Sequence, residues 1–146
     1  MMQSVSVEIG HRAERLLYDY AAAVDTGDLA GLRGLITDDV VIEQNGKSDF
    51  GAEEFIGVYR AFIDSPVEFS RHAISNVRVV QGEGGRVHVD AYFEATVCAP
   101  GSNQRIYGRY ADVYIEREGT LLIDRKGISV DRMIDLPAGE VEYQPY

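Results

Sequence analysis

The passage Tyr20–Leu35, which reads YAAAVDTGDLAGLRGL, decides the fold because it joins two helices through a tight acidic turn. Before the turn, apolar residues recur every three or four positions over Val7–Val24, the spacing of a helix with one buried face. Gly27 can adopt the left-handed conformation that ends a helix, and Asp28 can cap the next one. We therefore predict a long first helix, a turn and a short second helix that reaches Ile36.

The rest of the chain changes from helical periodicity to alternation. A strand is predicted at residues 40–44, and a third helix begins near Ala52 and ends before Pro66. Four longer strands follow, with turns between them, at residues 72–80, 87–95, 105–117 and 121–130. Helices followed by an antiparallel meander predict an α+β fold, in which helices cover the concave face of one curved sheet and enclose a pocket.

Composition limits the classes of function. The chain has 146 residues, 45% hydrophobic and 26% charged, as is typical of one globular domain spanning 1–146. A formal charge of −10 disfavours binding to nucleic acid or anionic membranes. No apolar run approaches the roughly 20 residues that cross a bilayer, and the N-terminus lacks the pattern of a secretory signal. We expect a cytoplasmic protein with a C-terminal tail over 132–146.

Alternation along the strands predicts which polar residues face the pocket. His72 and Asn76 share one face of the first meander strand. Arg125 shares a face with apolar neighbours on the last strand, where a permanent cation needs an anionic partner. Tyr110 and Asp112 share a face of the long strand, although alternation does not decide whether that face is the inner one.

Asp25 and His72 indicate acid–base chemistry as a pair more strongly than either does alone. An aspartate after a helix usually caps a turn, and a strand histidine is more often a packed or surface residue. If Asp25 accepts a hydrogen bond from one ring nitrogen of His72, the other nitrogen becomes a general base in an apolar pocket. Nucleophile-elbow, zinc-protease and dinucleotide motifs are missing from the sequence. Three histidines and one cysteine disfavour a metal site or a disulfide framework, so proton abstraction without metal or cofactor remains.

Six passages together resemble one known superfamily. They are Tyr20–Leu35, Thr37–Val40, Gly51–Ile56, Arg71–Asn76, Tyr110–Tyr114 and Leu121–Arg125. The resemblance covers residues 7–131 and is to the nuclear-transport-factor-2-like superfamily, within it the SnoaL-like branch with scytalone dehydratase and hexachlorocyclohexane dehydrochlorinase. It implies a cone-shaped α+β barrel with a mixed, mostly antiparallel sheet and three N-terminal helices. It also implies a homodimer or homotrimer formed through the outer face of the sheet.

The resemblance also implies roles for individual residues. Asp25 and His72 stand where both enzymes carry their catalytic dyad. Arg125 matches a pocket arginine of the dehydrochlorinase, and Asp112 approximately matches a pocket asparagine of the dehydratase. We therefore predict Asp25 and His72 as catalytic residues. The predicted substrate-binding residues are Tyr20, Asn76, Tyr110, Asp112 and Arg125.

Departures from both enzymes leave the substrate open. The dehydratase carries tyrosines where this chain has Val24 and Gln44, and its second catalytic histidine falls near Ala91 or Asp90. The pocket lysine of the dehydrochlorinase falls at Tyr20. The resemblance implies a cofactor-independent lyase of dehydratase type that acts on a small cyclic or polyketide-like molecule in an apolar pocket. Two alternatives remain, an isomerase or polyketide cyclase that uses the same base, and a domain that binds a small ligand without catalysis.

Overall fold

The computed structural model describes residues 3–138, which form three helices and one seven-stranded sheet. In chain order the elements are β1 (Gln3–Ser4), α1 (Val7–Thr26), α2 (Leu29–Arg33), β2 (Ile36–Gln44), β3 (Lys47–Phe50), α3 (Ala52–Ile63), β4 (Phe69–Gln81), a short 3₁₀ turn (Glu83–Gly85), β5 (Val87–Ala99), β6 (Ser102–Arg117) and β7 (Thr120–Leu136). The strands lie in the order β1-β4-β5-β6-β7-β2-β3. Strands β2 and β7 run parallel, and the other neighbouring strands run antiparallel.

The expected α+β fold is confirmed, with three helices and a mixed, mostly antiparallel sheet. Within the described chain the sheet stays open, because β1 and β3 form its two edges and are not paired with each other. The barrel implied by the resemblance is therefore a curved, unclosed sheet that the helices cover.

The turn between α1 and α2 forms as its residues predict. At the N-terminus of α1, the Ser6 side chain accepts a hydrogen bond from the Ile9 amide (3.2 Å). Gly27 ends α1 with φ at 68°, a left-handed conformation that glycine adopts without strain. Asp28 then caps α2 by accepting from the Gly31 amide (2.8 Å). This arrangement packs α1 against β4.

Three short elements differ from the sequence prediction: α2, and the strands β1 and β3, which the sequence did not predict. The second helix ends at Arg33, and Ile36 begins β2 instead of closing the helix. The Ile123 amide donates to the Leu35 carbonyl (2.8 Å), so this segment joins β7 in the sheet. The predicted strand at 40–44 is therefore longer at its start. Strand β3 was not predicted, because four residues with little apolar alternation carry almost no strand signal.

The predicted C-terminal tail begins inside a strand. Strand β7 continues to Leu136 and pairs with β6, so residues 132–136 belong to the sheet. The sequence does not predict this end of the strand, because residues 131–135 are exposed on both faces and strand prediction relies on one buried face. Residues 139–146 of the predicted tail lie outside the described residues.

The core lies between the helices and the concave face of the sheet. Alternate residues of β5 are all buried, as their spacing predicts: Val87, Val89, Ala91, Phe93 and Ala95. From the helices, Leu17 and Phe55 are completely buried against this face. Each such side chain contributes about 1.5–3 kcal/mol to stability. The helices thus cover the sheet face that carries the candidate site.

Two register shifts decide which polar side chains reach the concave face. In β4 the pairing with β5 shifts between Ser75 and Arg78, and Asn76 has a φ of 53°. In the β6–β7 pair a shift between Val113 and Tyr114 reverses the facing of the residues that follow Ile123. A one-residue shift exchanges the two faces of a strand, so simple alternation fails beyond each shift.

Candidate active site

The structure brings Asp25 and His72 into direct contact. Asp25 lies in the last turn of α1 and His72 near the start of β4, and Nδ1 of His72 is 2.7 Å from Oδ1 of Asp25. Two further hydrogen bonds hold the carboxylate: Oδ1 accepts from the Ser70 hydroxyl (3.0 Å), and Oδ2 accepts from the His72 backbone amide (2.7 Å). The backbone amide and the ring of His72 therefore hold the carboxylate of Asp25, which in turn orients that ring.

The same hydrogen bonds decide the ionisation of Asp25. Burial alone would raise the pKa of this carboxyl. The hydrogen bonds from the His72 ring and amide, the nearby imidazole charge and the Ser70 hydroxyl outweigh burial and hold the pKa below its ordinary value of 3.8. An ionised Asp25 can only accept hydrogen bonds, so Nδ1 of His72 must carry the proton that joins them. The lone pair of the neutral imidazole is then on Nε2.

His72 lines a cavity of about 170 Å³ between α1, α3 and the sheet. The wall is mostly apolar, and its polar side chains are His72, Gln44 and the three tyrosines Tyr20, Tyr59 and Tyr110. On the other side of the dyad, Asp25 and Ser70 line a more polar outer groove of about 410 Å³. The cavity is the better site for acid–base chemistry, because the imidazole lines it and its wall is mostly apolar.

Three tyrosines form the wall of the cavity near His72. The hydroxyl groups of Tyr20 and Tyr59 are hydrogen-bonded to each other. The Tyr20 and Tyr110 rings meet edge to face with centroids 5.9 Å apart, and Phe93 stacks on Tyr110 at 4.5 Å. Burial raises the pKa of all three phenols well above the ordinary value of 10.0, so they are protonated hydrogen-bond donors at neutral pH.

A completely buried ion pair supports two of these rings from behind. Nζ of Lys126 donates to Oδ2 of Asp112 (2.8 Å) and lies 3.4 Å and 4.0 Å from the ring centroids of Tyr110 and Tyr20. Asp112 also accepts from the Tyr114 hydroxyl (3.1 Å) and the Gly127 amide (3.3 Å). Burial raises the pKa of Asp112 and lowers that of Lys126, and their mutual attraction opposes both shifts.

The predicted substrate-binding residues divide into three groups. Tyr20 and Tyr110 line the cavity, and Asp112 lies behind the wall, bound to Lys126. Arg125 does not reach the cavity: its side chain is 46% exposed and pairs with Glu43 at the surface.

The register shift in the β6–β7 pair explains why Arg125 faces outward, since it places Lys126 and not Arg125 on the concave face. Asn76 is also exposed and lies away from the cavity, because the shift in β4 turns it to the convex face. Simple alternation had placed both side chains in the pocket.

Two residues of the site were missed by sequence reasoning. Tyr59 belongs to the apolar stripe of α3, where an aromatic residue is ordinarily a core residue. Lys126 stands in a strand next to Arg125, and period-two alternation assigned the inner position to the arginine. The one available signal for Lys126 was Asp112 on the neighbouring strand, an acidic residue that needs a cation if its face is the buried one.

Within residues 3–138, no three histidine, cysteine or acidic side chains are grouped so that they could hold a metal ion. In the same part of the chain, no helix has the length and apolar character needed to span a membrane.

Comparison with known proteins identifies a family and a fold. The family model described as a SnoaL-like domain matches residues 7–126. A comparison with curated proteins found no significant match.

Many solved structures are similar in fold, and they include the following three. A candidate scytalone dehydratase from Novosphingobium aromaticivorans is 19% identical, with 93% of this chain and 96% of that chain covered and a TM-score of 0.80. A candidate aromatic ring hydroxylase from the same organism is 18% identical, with 91% and 96% covered and a TM-score of 0.80. A hexachlorocyclohexane dehydrochlorinase from Novosphingobium barchaimii is 17% identical, with 94% and 99% covered and a TM-score of 0.79. One fold therefore carries several named activities, and function must be argued from the site.

Proposed function

Because the chain belongs to the SnoaL-like domain family, we propose that it is a cofactor-independent lyase of dehydratase type. Its substrate is a small cyclic or polyketide-like molecule, and its catalytic dyad is Asp25 and His72. One observation carries this proposal: the imidazole that Asp25 holds at 2.7 Å is also part of the wall of an apolar cavity.

The reaction proposed for this geometry is an elimination of water. Nε2 of His72 removes a proton from a carbon next to a carbonyl, and Asp25 stabilises the imidazolium that forms. The electron pair of the broken C–H bond forms a C=C bond as the β-hydroxyl leaves. The imidazolium returns its proton to that hydroxyl, so water departs and His72 is neutral again. A positioned base of this kind contributes about 10²–10⁴-fold to the rate.

The comparisons support elimination without identifying the substrate. A dehydratase and a dehydrochlorinase are both named for the removal of a small molecule from adjacent carbons, and candidates for both share this fold. The cavity fits a small ring: an apolar cavity of about 150 Å³ in another protein binds benzene, and this one has about 170 Å³.

The proposal is tested with purified protein and a panel of cyclic β-hydroxyketones, by following loss of water in the product mass. We expect His72→Gln to lower turnover by about 10²-fold or more, because glutamine keeps a polar side chain without a base. The control is His11→Gln, an exposed histidine of α1, which should keep wild-type turnover. Full activity in a folded His72→Gln protein would exclude this base.

An isomerase or polyketide cyclase is the second candidate, because a largely buried imidazole can return the abstracted proton to a different atom of the same ligand. Turnover in D₂O distinguishes the two reactions. Deuterium at carbon in a product that has lost no water would favour isomerisation or cyclisation. Ligand binding with no turnover of any panel compound would favour a domain without catalytic activity.

The assembly state is also a proposal, a homodimer or homotrimer formed through the outer face of the sheet. Exposed apolar side chains on the strands support it, including Tyr92 and Met133, which are 54% and 53% exposed. Light scattering coupled to gel filtration would give about two or three times 16.2 kDa, and a mass of one chain would contradict it.

A further inference from the structure

The tyrosine cluster, Tyr20, Tyr59 and Tyr110, has more hydrogen-bond donors than it can use internally. Tyr20 and Tyr59 share one hydrogen bond through their hydroxyls, and Tyr110 lies against Tyr20. The three hydroxyls carry three protons, and the bond between Tyr20 and Tyr59 uses one of them. At least one phenol proton is therefore left over.

The remaining proton has no carboxylate to receive it. Asp112, the nearest buried acid, is occupied by Lys126, the Tyr114 hydroxyl and the Gly127 amide. Among residues 3–138, the hydroxyls of the tyrosine cluster form no hydrogen bond to a carboxylate or to the backbone. All three tyrosines line the cavity, so the cavity is where the leftover donor can be satisfied.

The tyrosine cluster is also close enough to the dyad to act on the same small molecule. The His72 ring lies 6.1 Å from the Phe93 ring, which stacks on Tyr110 at 4.5 Å. One aromatic ring therefore separates the imidazole from the nearest phenol along this wall. A single six-membered ring in a cavity of about 170 Å³ would contact both.

We propose that the tyrosine cluster is an oxygen-binding subsite, which donates a hydrogen bond to a carbonyl or hydroxyl oxygen of the ligand. The ligand class is then a ring that bears an acceptor oxygen, and not a halogenated hydrocarbon. Lys126 acts through the rings of Tyr20 and Tyr110 as a positioning residue. The placement of the ligand's C–H group at His72 rests on the proposed function, whereas the oxygen contact does not.

A pair of matched probes tests the subsite. Cyclohexanone and methylenecyclohexane have nearly the same shape, but only the ketone accepts a hydrogen bond at that end. The triple variant Tyr20→Phe/Tyr59→Phe/Tyr110→Phe should weaken cyclohexanone binding by up to about tenfold relative to the alkene. Each single variant should change this ratio less, because a phenol donor remains. The control is Tyr18→Phe, which changes an exposed tyrosine of α1 and should leave the ratio unchanged. An unchanged ratio in a triple variant that still binds the alkene would overturn the proposal.

A second measurement on the wild-type protein covers the case in which the triple variant fails to fold. A hydrogen bond from a phenol lowers the C=O stretching frequency of bound cyclohexanone below its value in hydrocarbon solvent. A bound ketone with the hydrocarbon frequency would overturn the subsite. The same measurement on His72→Gln should still show the lowered frequency, because that substitution leaves the phenols in place. Loss of turnover and loss of the frequency shift therefore report separately on the dyad and on the subsite.

Discussion

Asp25 and Asp112 each hold a basic side chain within hydrogen-bonding distance, and their surroundings give them different roles. Asp25 and His72 keep 15% and 14% of their side chains exposed, whereas Asp112 and Lys126 are completely buried. Hydrogen bonds outweigh burial at Asp25 and lower its pKa, while burial dominates at Asp112 and raises its pKa. A group that exchanges protons with a ligand must be reachable, so the first pair suits chemistry and the second supports the cavity wall.

The buried pair gives the largest expected effect on stability. Lys126→Met removes the cation and leaves Asp112 in the core without its strongest partner. We expect the free energy of unfolding to fall by about 3–5 kcal/mol, measured by denaturant titration.

The double variant Lys126→Met/Asp112→Leu is the matched control for this loss. It removes both charges and should recover much of the stability, because a buried ion pair replaced by apolar groups is often neutral in energy. A Lys126→Met variant as stable as the wild type would show that the Lys126–Asp112 pair does not stabilise the cavity wall.

The Asp25–His72 pair predicts an intermediate effect that depends on pH. The folded pKa of Asp25 lies below its ordinary value of 3.8, so its ionised form stabilises the protein at higher pH, and this contribution is lost as pH falls through the folded pKa. Asp25→Asn should therefore cost about 1–3 kcal/mol at neutral pH. The difference from wild type should shrink below pH 3.8, as unfolding curves at several pH values would show. A difference independent of pH would contradict this assignment.

The smallest effect on stability is expected for Arg125, the neighbour of Lys126. Arg125→Gln removes a cation one residue away, but Arg125 is half-exposed and pairs with Glu43 at the surface. We expect a loss below about 1 kcal/mol in the same denaturant titration. A loss as large as that of Lys126→Met would mean that the facing of β7 described above is wrong.

The contrast between Arg125 and Lys126 also shows where sequence reasoning succeeds and fails. Helical periodicity and the Gly27 turn depend on local contacts, so α1, α3 and the α+β layout follow from the sequence. Strand facing beyond a register shift depends on how two strands pair, which no single segment encodes. For that reason Arg125 and Asn76 were assigned to the pocket, whereas Lys126 was not.

The two residues of the proposed dyad were found in another way. Their residue types and positions made Asp25 and His72 a candidate acid–base pair, and the resemblance implied the same pair. Their contact depends on how the end of α1 packs against the start of β4, which periodicity alone does not specify. Their catalytic role stays a prediction.

The proposed chemistry depends on Asp25 holding the proton of neutral His72 on Nδ1, which leaves Nε2 open to the cavity. The ¹⁵N chemical shifts of the His72 ring test this arrangement directly, because they show which nitrogen carries the proton. In the neutral ring of the wild-type protein we expect a protonated Nδ1 and an unprotonated Nε2, and we expect Asp25→Asn to weaken this preference. A neutral ring protonated on Nε2 in the wild type would exclude Nε2 as the base.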